Sequence, residues 1–256
     1  MKVSIITVTY NSGKTLRDTF ESVLSQTYKD IEYIVVDGLS TDNTVDIIRE
    51  YEPRFKGRMF WISESDYGIY DAMNKGLRMA TGDIIGVLNS DDLYYNNTVL
   101  EQIVSSFTPD IDAVFSNLYF VSAKDTNIVV RAWKGSPYVS FCTGWHPAHP
   151  TFYVRREIYE KYGTFDTSFE ISADFELMLR FIEKKKIRTR YLDSYSVRMR
   201  VGGESSGFKN IIKGNKNILR AFKKNGIRVS PFYVIRRLSP KVMNMLMYKL
   251  HLKRNS

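Results

Sequence analysis

One cysteine, Cys142, stands in 256 residues, which excludes an internal disulfide and a thiolate zinc cage and fits a reducing compartment. No run reaches the ~18–20 apolar residues that would span a bilayer. The start, Met1-Lys-Val-Ser-Ile-Ile6, has no long apolar core and no small-residue cleavage site, and reads as a strand rather than a signal peptide. Neither a Gly-x-Gly-x-x-Gly fingerprint nor a Gly-x-x-x-x-Gly-Lys-Ser/Thr loop occurs, so dinucleotide-fingerprint and P-loop chemistry are excluded. No internal repeat is visible. Acidic residues are missing from the tail: Ser205 to Ser256 carries 13 Lys or Arg and no Asp or Glu. The overall charge of +9 therefore belongs to that tail, and residues 1–204, with 24 basic against 28 acidic groups, carry a net −4.

What is present is alternation. Val3 to Val8 is β-branched and apolar and runs into the polar turn Thr9-Tyr-Asn-Ser-Gly13, after which Leu16, Phe20, Val23 and Leu24 space a helix over Lys14 to Gln26. Ile31 to Val36 is a second strand ending at Asp37-Gly38, and Ser40-Thr-Asp42 caps a helix through Tyr51. Arg58 to Ser63, then a helix from Ile69 to Ala80, then Ile84 to Leu88 repeat the pattern. Such alternation predicts an α/β fold of right-handed crossover units with a mainly parallel sheet flanked by helices. Thr9, Asp37 and Asp91 then fall at one edge of the sheet, the edge where open α/β sheets bind ligands. The last strand stops at Asn89-Ser-Asp-Asp92. Two adjacent carboxylates at a strand's carboxyl end suit Mg²⁺ or Mn²⁺ carrying a diphosphate, while an Asx turn capping the helix near Asn96 uses the same residues.

Thr7-Val-Thr-Tyr-Asn11, Ser25-Gln-Thr27, Val35-Val-Asp-Gly38 with Ser40-Thr-Asp42, Glu64 to Gly76, Thr81-Gly-Asp83 and Asn89-Ser-Asp-Asp92 occur in this order. Together they resemble family 2 glycosyltransferases over residues 1 to 205, most nearly the bacterial enzymes of surface-polysaccharide synthesis. The resemblance implies the Rossmann-like GT-A fold, a nucleoside-diphosphate sugar donor, Mn²⁺ or Mg²⁺, and inversion at the anomeric carbon. By the same resemblance Thr9, Tyr10 and Asn11 line the nucleotide edge and Asp37 meets base or ribose. Asp66, Asn74 and Lys75 face nucleoside and diphosphate, although Asp71, Asn74 and Lys75 also suit an exposed helix face. Asp92 is the first metal ligand, and Asp91 contacts ribose or the metal through water.

Beyond Asn96 to Phe107, a helix, come a strand over Asp112 to Asn117 and a hairpin over Leu118 to Trp133. His149 in Gly144-Trp-His-Pro-Ala-His-Pro150 matches a histidine near acceptor or diphosphate in related enzymes, or is a loop residue beside proline. Ile171-Ser-Ala-Asp-Phe-Glu-Leu-Met-Leu-Arg180 matches the family block that carries the catalytic base. That makes Asp174 the candidate base and Glu176 the weaker one, while Ser172 or Asp174 also serves as a helix cap. Ile187 to Leu192 and Ser196 to Val201 read as two closing strands. Gly202-Gly-Glu-Ser-Ser206, with Gly203, is either a loop folding over donor or acceptor or a linker. These divide the chain into a GT-A domain, residues 1–206, and a basic helical extension, residues 207–256.

In the extension, Pro231 to Leu238 and Val242 to Leu250 carry apolar stripes flanked by Lys and Arg, the pattern of a helix in an anionic membrane interface, an oligomer contact or a nucleic-acid tail. The resemblance favours the membrane and a polyprenyl-diphosphate-linked glycan acceptor, hence a cytoplasmic protein held peripherally on the inner face of the plasma membrane, with no nucleic-acid partner. Competing readings are a non-catalytic nucleotide-sugar or membrane-binding protein that kept the fold, and a metal-dependent nucleotidyltransferase, which lacks its basic glycine-rich loop here. No motif fixes the donor base, sugar, acceptor or linkage.

Overall fold

The computed structural model describes residues 1–202, 208–234 and Arg237. Its first half is a parallel sheet in the order β3-β2-β1-β4, made of β1 (Val3–Thr9), β2 (Ile31–Asp37), β3 (Met59–Ser63) and β4 (Ile84–Val87). Every residue of β1, β2 and β4 is buried, as expected of strands covered on both faces. The crossovers run through α1 (Leu16–Leu24), α2 (Thr44–Tyr51) and α3 (Ile69–Met79). Register aligns Thr9 with Asp37 and Asp37 with Ser63, so three strand ends lie side by side.

The second half mixes directions. β5 (Leu93–Tyr94), α4 (Val99–Ser105), β6 (Ala113–Val121), β7 (Val129–Trp133), β8 (Tyr153–Arg155) and α5 (Arg156–Tyr162) follow. Next come α6 (Ala173–Met178), continued by a π-helical turn over Leu179–Lys184, then β9 (Thr189–Arg200) and α7 (Phe208–Lys224). The sheet continues β4-β8-β6-β9-β5, with β7 paired to β6. Because β8 is antiparallel to both β4 and β6, and β9 is parallel to β6, β6 and β9 end at the same edge as β1 and β4.

Two expectations from sequence change here. The strand and hairpin read separately over 112–133 are one long strand, β6, folding back on β7. The two closing strands are the single strand β9. Asp193 to Tyr195, left between the two expected strands, belong to it, and register shifts at Ser116/Asn117 and Asn117/Leu118 absorb the extra residues as bulges. Polar side chains hold them in the sheet: Asn117 Nδ2 and Tyr191 Oη both donate to Asp193 Oδ1 at 3.0 Å, and Ser116 and Ser196 hydroxyls meet at 2.5 Å.

Two apolar cores sit on opposite faces, one joining α1, α2 and α4 to the sheet, the other α3, α5, α6 and α7. α7 shares the second core: Ile218, Ala221 and Phe222 are buried, and Tyr233 packs on Phe222 with ring centres 4.9 Å apart. Asn217 Nδ2 donates to Ile171 O at 2.9 Å, while Lys213 pairs with Glu170 and Lys224 with Asp166. Within the stripe that the sequence assigns to a membrane interface, Tyr233 is therefore covered by the chain itself. Val242 to Leu250, like Gly203, lies outside the described residues. No helix among the described residues is long and apolar enough to cross a membrane.

At the opposite sheet edge, Glu32 is 3% exposed and ties three segments together. Its carboxylate accepts from Ser4 Oγ (2.5 Å), Thr81 N (2.5 Å), Thr81 Oγ1 (2.7 Å) and Gly82 N (3.0 Å), and pairs with Lys2 Nζ at 2.5 Å. A Cβ on Gly82 would stand 2.8 Å from both Lys2 O and Ser4 N, and Asp83 Oδ2 accepts from Lys2 N, which gives Thr81-Gly-Asp83 a structural reason. Burial alone would raise the Glu32 carboxyl, but Lys2, then Ser4 and Thr81, outweigh it and hold it at about 2. Because this lies below the unfolded value, the stabilisation is complete above pH ~4.5 and is lost as pH falls toward 2. Glu32→Gln should cost about 2–3 kcal/mol at pH 7 and little near pH 2. Urea midpoints across that range check it, and a loss independent of pH would contradict it.

Candidate donor and acceptor cleft

The edge made by β1, β2 and β3 is built around Asp37, which is fully buried. Its Oδ1 accepts from Ser40 Oγ at 2.5 Å, and its Oδ2 from Ser40 N at 3.0 Å and Ser63 Oγ at 2.6 Å. These bonds shape the turn after β2, where Gly38 N donates to Thr9 O. Asn11 sits at φ +50°, a conformation asparagine tolerates better than most, and its Oδ1 accepts from Thr41 N (2.8 Å) and Asp42 N (3.3 Å). Asp37 and Asn11 thus brace two loops against each other. Thr9 Oγ1 is buried with no hydrogen-bond partner among the described residues, and the Tyr10 side chain is 65% exposed. Asp66 Oδ1 accepts from Gly68 N at 2.8 Å. A Cβ on Gly38 would stand 2.5 Å from Asp66 Oδ2 and 3.6 Å from the Tyr10 ring, so Thr9, Tyr10, Gly38 and Asp66 line one mouth.

Two expected donor residues are otherwise engaged. Asn74 is buried, its Nδ2 donating to Phe165 O (2.8 Å) and its Oδ1 accepting from Phe165 N (2.9 Å), which fastens α3 to the loop before α6. Lys75 Nζ donates to Ser65 O at 2.5 Å and pairs with Glu64 at 2.9 Å and Asp71 at 3.9 Å, so its charge is already met.

Beyond β4, Asp92 is 1% exposed. Its Oδ2 accepts from Asn89 Nδ2 at 3.0 Å, while its Oδ1 is buried with no hydrogen-bond partner among the described residues. Burial pushes the Asp92 carboxyl well above the usual range, and the charge of Asp91 adds to this; burial also raises Asp91. The Asx-cap alternative is not realised, because α4 starts seven residues later, where Asn96 Oδ1 accepts from Thr98 N. The pair is held instead from behind: Thr19 Oγ1 donates to Asp92 O (2.9 Å) and Thr15 Oγ1 to Ser90 O (2.9 Å). Arg200, 7% exposed at the end of β9, donates to Asp91 O and pairs with Asp18, both at 2.5 Å. Sequence reading missed Arg200; the only signal was a cation inside an apolar closing strand.

Asp174 lies in the first turn of α6, partly exposed. Tyr70, from the first turn of α3, donates its hydroxyl to Asp174 Oδ1 at 3.1 Å and accepts from Ser172 N at 3.1 Å. Ser172 is held at φ +71°, a left-handed conformation that costs a non-glycine residue roughly 1–3 kcal/mol. Burial raises the Tyr70 hydroxyl, and the charge of Asp174 raises it further. His149 packs edge-on to Phe165 at 5.6 Å; burial lowers its imidazole, opposed by the Asp174 carboxylate, so the two groups feel one another. Glu176 is spent: it is buried, bonded to Arg180 at 3.1–3.3 Å and to Asn225 Nδ2 at 3.0 Å. The geometry thus joins Thr9, Tyr10, Asp37 and Asp66, sets Asp91 and Asp92 at the same sheet edge, and ties Asp174 to α3 through Tyr70.

The fold has known counterparts. A mannosyltransferase from Pyrobaculum calidifontis in complex with GDP-Man and Mn²⁺ superposes with a TM-score of 0.66 and 22% identity, covering 93% of this chain and 68% of that one. S. aureus TarS 1–349 in complex with UDP gives 0.66 at 19%, covering 92% and 68%, and this chain spans 40% of the longer TarS chain. These likenesses establish the GT-A fold. In sequence, a PGL/p-HBAD biosynthesis glycosyltransferase of Mycobacterium bovis is 27% identical over 248 residues, 95% of this chain and 93% of its own. An uncharacterised glycosyltransferase of Mycobacterium tuberculosis is 33% identical over 182 residues, 70% of this chain and 68% of its own. The sequence model described as Glycosyl transferase family 2 matches residues 4–186, and with the strand-end carboxylates in place the chain belongs to that family of glycosyltransferases.

Proposed function

We propose that this glycosyltransferase moves a sugar, with inversion, from a nucleoside diphosphate to a hydroxyl of a lipid-linked glycan during surface-polysaccharide synthesis. The observation that carries the reading is a pair of orphaned buried oxygens at one sheet edge, Thr9 Oγ1 and Asp92 Oδ1. Buried polar atoms without a partner are few in native folds, and a bound ligand, ion or water is what completes them. Thr9, Tyr10 and Asp66 fit the nucleoside, on a turn that the fully buried Asp37 braces rather than touching the ligand itself, and Asp92 with Asp91 fits a hard divalent cation. No cluster of three or more His, Cys, Asp or Glu that could hold a metal occurs among the described residues, so the diphosphate itself would complete the shell. Bound there, Mn²⁺ or Mg²⁺ supplies Lewis-acid neutralisation of the diphosphate. Solved neighbours carry such ligands, among them GalNAc-T7 with UDP, GalNAc and Mn²⁺, and TarS with UDP-GlcNAc.

Asp174 accepts the proton of the acceptor hydroxyl while that oxygen attacks the anomeric carbon from the face opposite the diphosphate. Tyr70 orients the carboxylate, and His149 lies within reach of its charge. Contact with an anionic membrane surface fits the tail's 13 cations and absence of acids.

Asp174→Asn should keep metal-dependent donor binding and lose roughly 10²–10⁴-fold in transfer. Asp92→Asn should lose that binding yet melt several degrees higher than wild type in chelator, because an orphaned buried charge is gone. Calorimetric titration with a donor and melting curves check both; donor binding unchanged in Asp92→Asn contradicts the cation site. Since Phe222 and Tyr233 are core residues, truncation should spare them. Removal of residues 239–256 should release the protein from anionic liposomes in a flotation assay, and retention would refute membrane contact through that segment.

A further inference from the structure

The strand-end carboxylates continue into a second surface. Three residues after Asp92, Tyr95 donates its backbone N–H to Ser196 O at 2.8 Å, and Leu93 pairs with Arg198, which in turn pairs with Tyr119. Three tyrosines from β6, β9 and the end of β5 therefore meet. Tyr119 and Tyr195 stack with ring centres 3.8 Å apart and planes 5° from parallel, and Tyr95 lies 5.5 Å from Tyr119 and 6.4 Å from Tyr195. The Arg198 guanidinium stands 5.1 Å from the Tyr95 ring and donates to Asn127 Oδ1 at 3.3 Å. The group walls a cavity of about 370 Å³ lined by Tyr95, Tyr119, Thr126, Asn127, Val129 and Arg198, with no carboxylate in the lining. Tyr95 is 36% exposed and Val129 50% exposed, so this is not core.

We infer that this platform binds the sugars of the acceptor glycan that precede the attacking hydroxyl. The inference rests on reading the acceptor as a glycan. A sugar ring has an apolar face of C–H groups and a rim of hydroxyls. Partly exposed tyrosine rings suit the first, and an arginine, an asparagine and a threonine at their edge suit the second. The placement suits it too. Arg198 lies two residues before Arg200, whose guanidinium holds Asp91 O, so the platform stands roughly 7–10 Å along the strands from the carboxylate pair, within reach of a disaccharide. A nucleobase fits less well, since Tyr119 and Tyr195 already close on each other and leave no slot between them.

Saturation-transfer NMR with cellohexaose, mannohexaose and chitohexaose tests it. Wild type should saturate the ring C–H protons of at least one hexaose, unchanged by UDP or GDP with Mn²⁺. Affinity should fall by roughly 3- to 10-fold in Tyr119→Ala and in Tyr95→Ala. Tyr95 lies at the rim, so Tyr95→Ala serves if Tyr119→Ala does not fold. Three results would overturn the site: no transfer to any hexaose, equal transfer in a folded alanine variant, or displacement by the nucleoside diphosphates. Competition by oligouridylate would assign the platform to single-stranded nucleic acid instead. Donor binding is read separately by metal-dependent titration, so failure of the platform and failure of the proposed reaction are distinguishable.

Discussion

Asp92 is a carboxylate that the fold buries without fully pairing. A charge taken out of water is costly unless it is matched, and here one oxygen meets Asn89, the other has no hydrogen-bond partner among the described residues, and the Arg200 backbone and charge offset the burial only in part. Arg200 makes this tolerable without removing it: its guanidinium fixes the Asp91 carbonyl and Asp18 rather than the Asp92 carboxylate. The strand that brings Arg200 to this point, β9, threads the middle of the mixed half of the sheet. The direction reversal at β8 is what lets β6 and β9 arrive at the same edge as β1 and β4. The topology and the unpaired oxygen thus meet at one edge, the edge proposed to bind the donor.

The Asp174 side of the cleft is organised by ties between helices. Tyr70 joins the first turn of α3 to Ser172 and Asp174, and Asn74, one turn further along α3, fixes Phe165. Behind α6, Glu176 holds Asn225 at the end of α7, and Phe222 packs on Phe175 at 5.7 Å. The basic segment through Asn225 therefore buttresses the helix that carries Asp174. Strain at Ser172 persists because these neighbours over-determine it.

Much of this was legible in the chain. Alternating strands and helices, with polar turns after Val8, Val36 and Leu88, gave the parallel half and the edge on which Thr9, Asp37 and Asp91 fall. Local pattern failed where tertiary partners decide. Two strands, 187–192 and 196–201, are read where Asn117 and Tyr191 hold Asp193 in one continuous strand. Asn74 and Lys75 sit in a motif that resembles a donor-binding block, yet Phe165, Glu64 and Asp71 engage them, contacts that helical spacing cannot reveal. Arg200 and the tyrosines of the platform come from segments far apart in sequence, and only the register of β5, β6 and β9 brings them together.

On the proposed reading, the edge at Thr9 and Asp92 is completed by a nucleotide sugar together with a divalent cation. The direct measurement is the melting temperature of the protein with UDP-, GDP-, dTDP- and CMP-sugars, each in Mn²⁺, Mg²⁺ or chelator. Ligand at 100 times its dissociation constant stabilises the native state by about 2.7 kcal/mol. The account predicts a rise of that order for one nucleotide base, present with the cation and absent in chelator. An equal rise in chelator, or none with any donor, would contradict it.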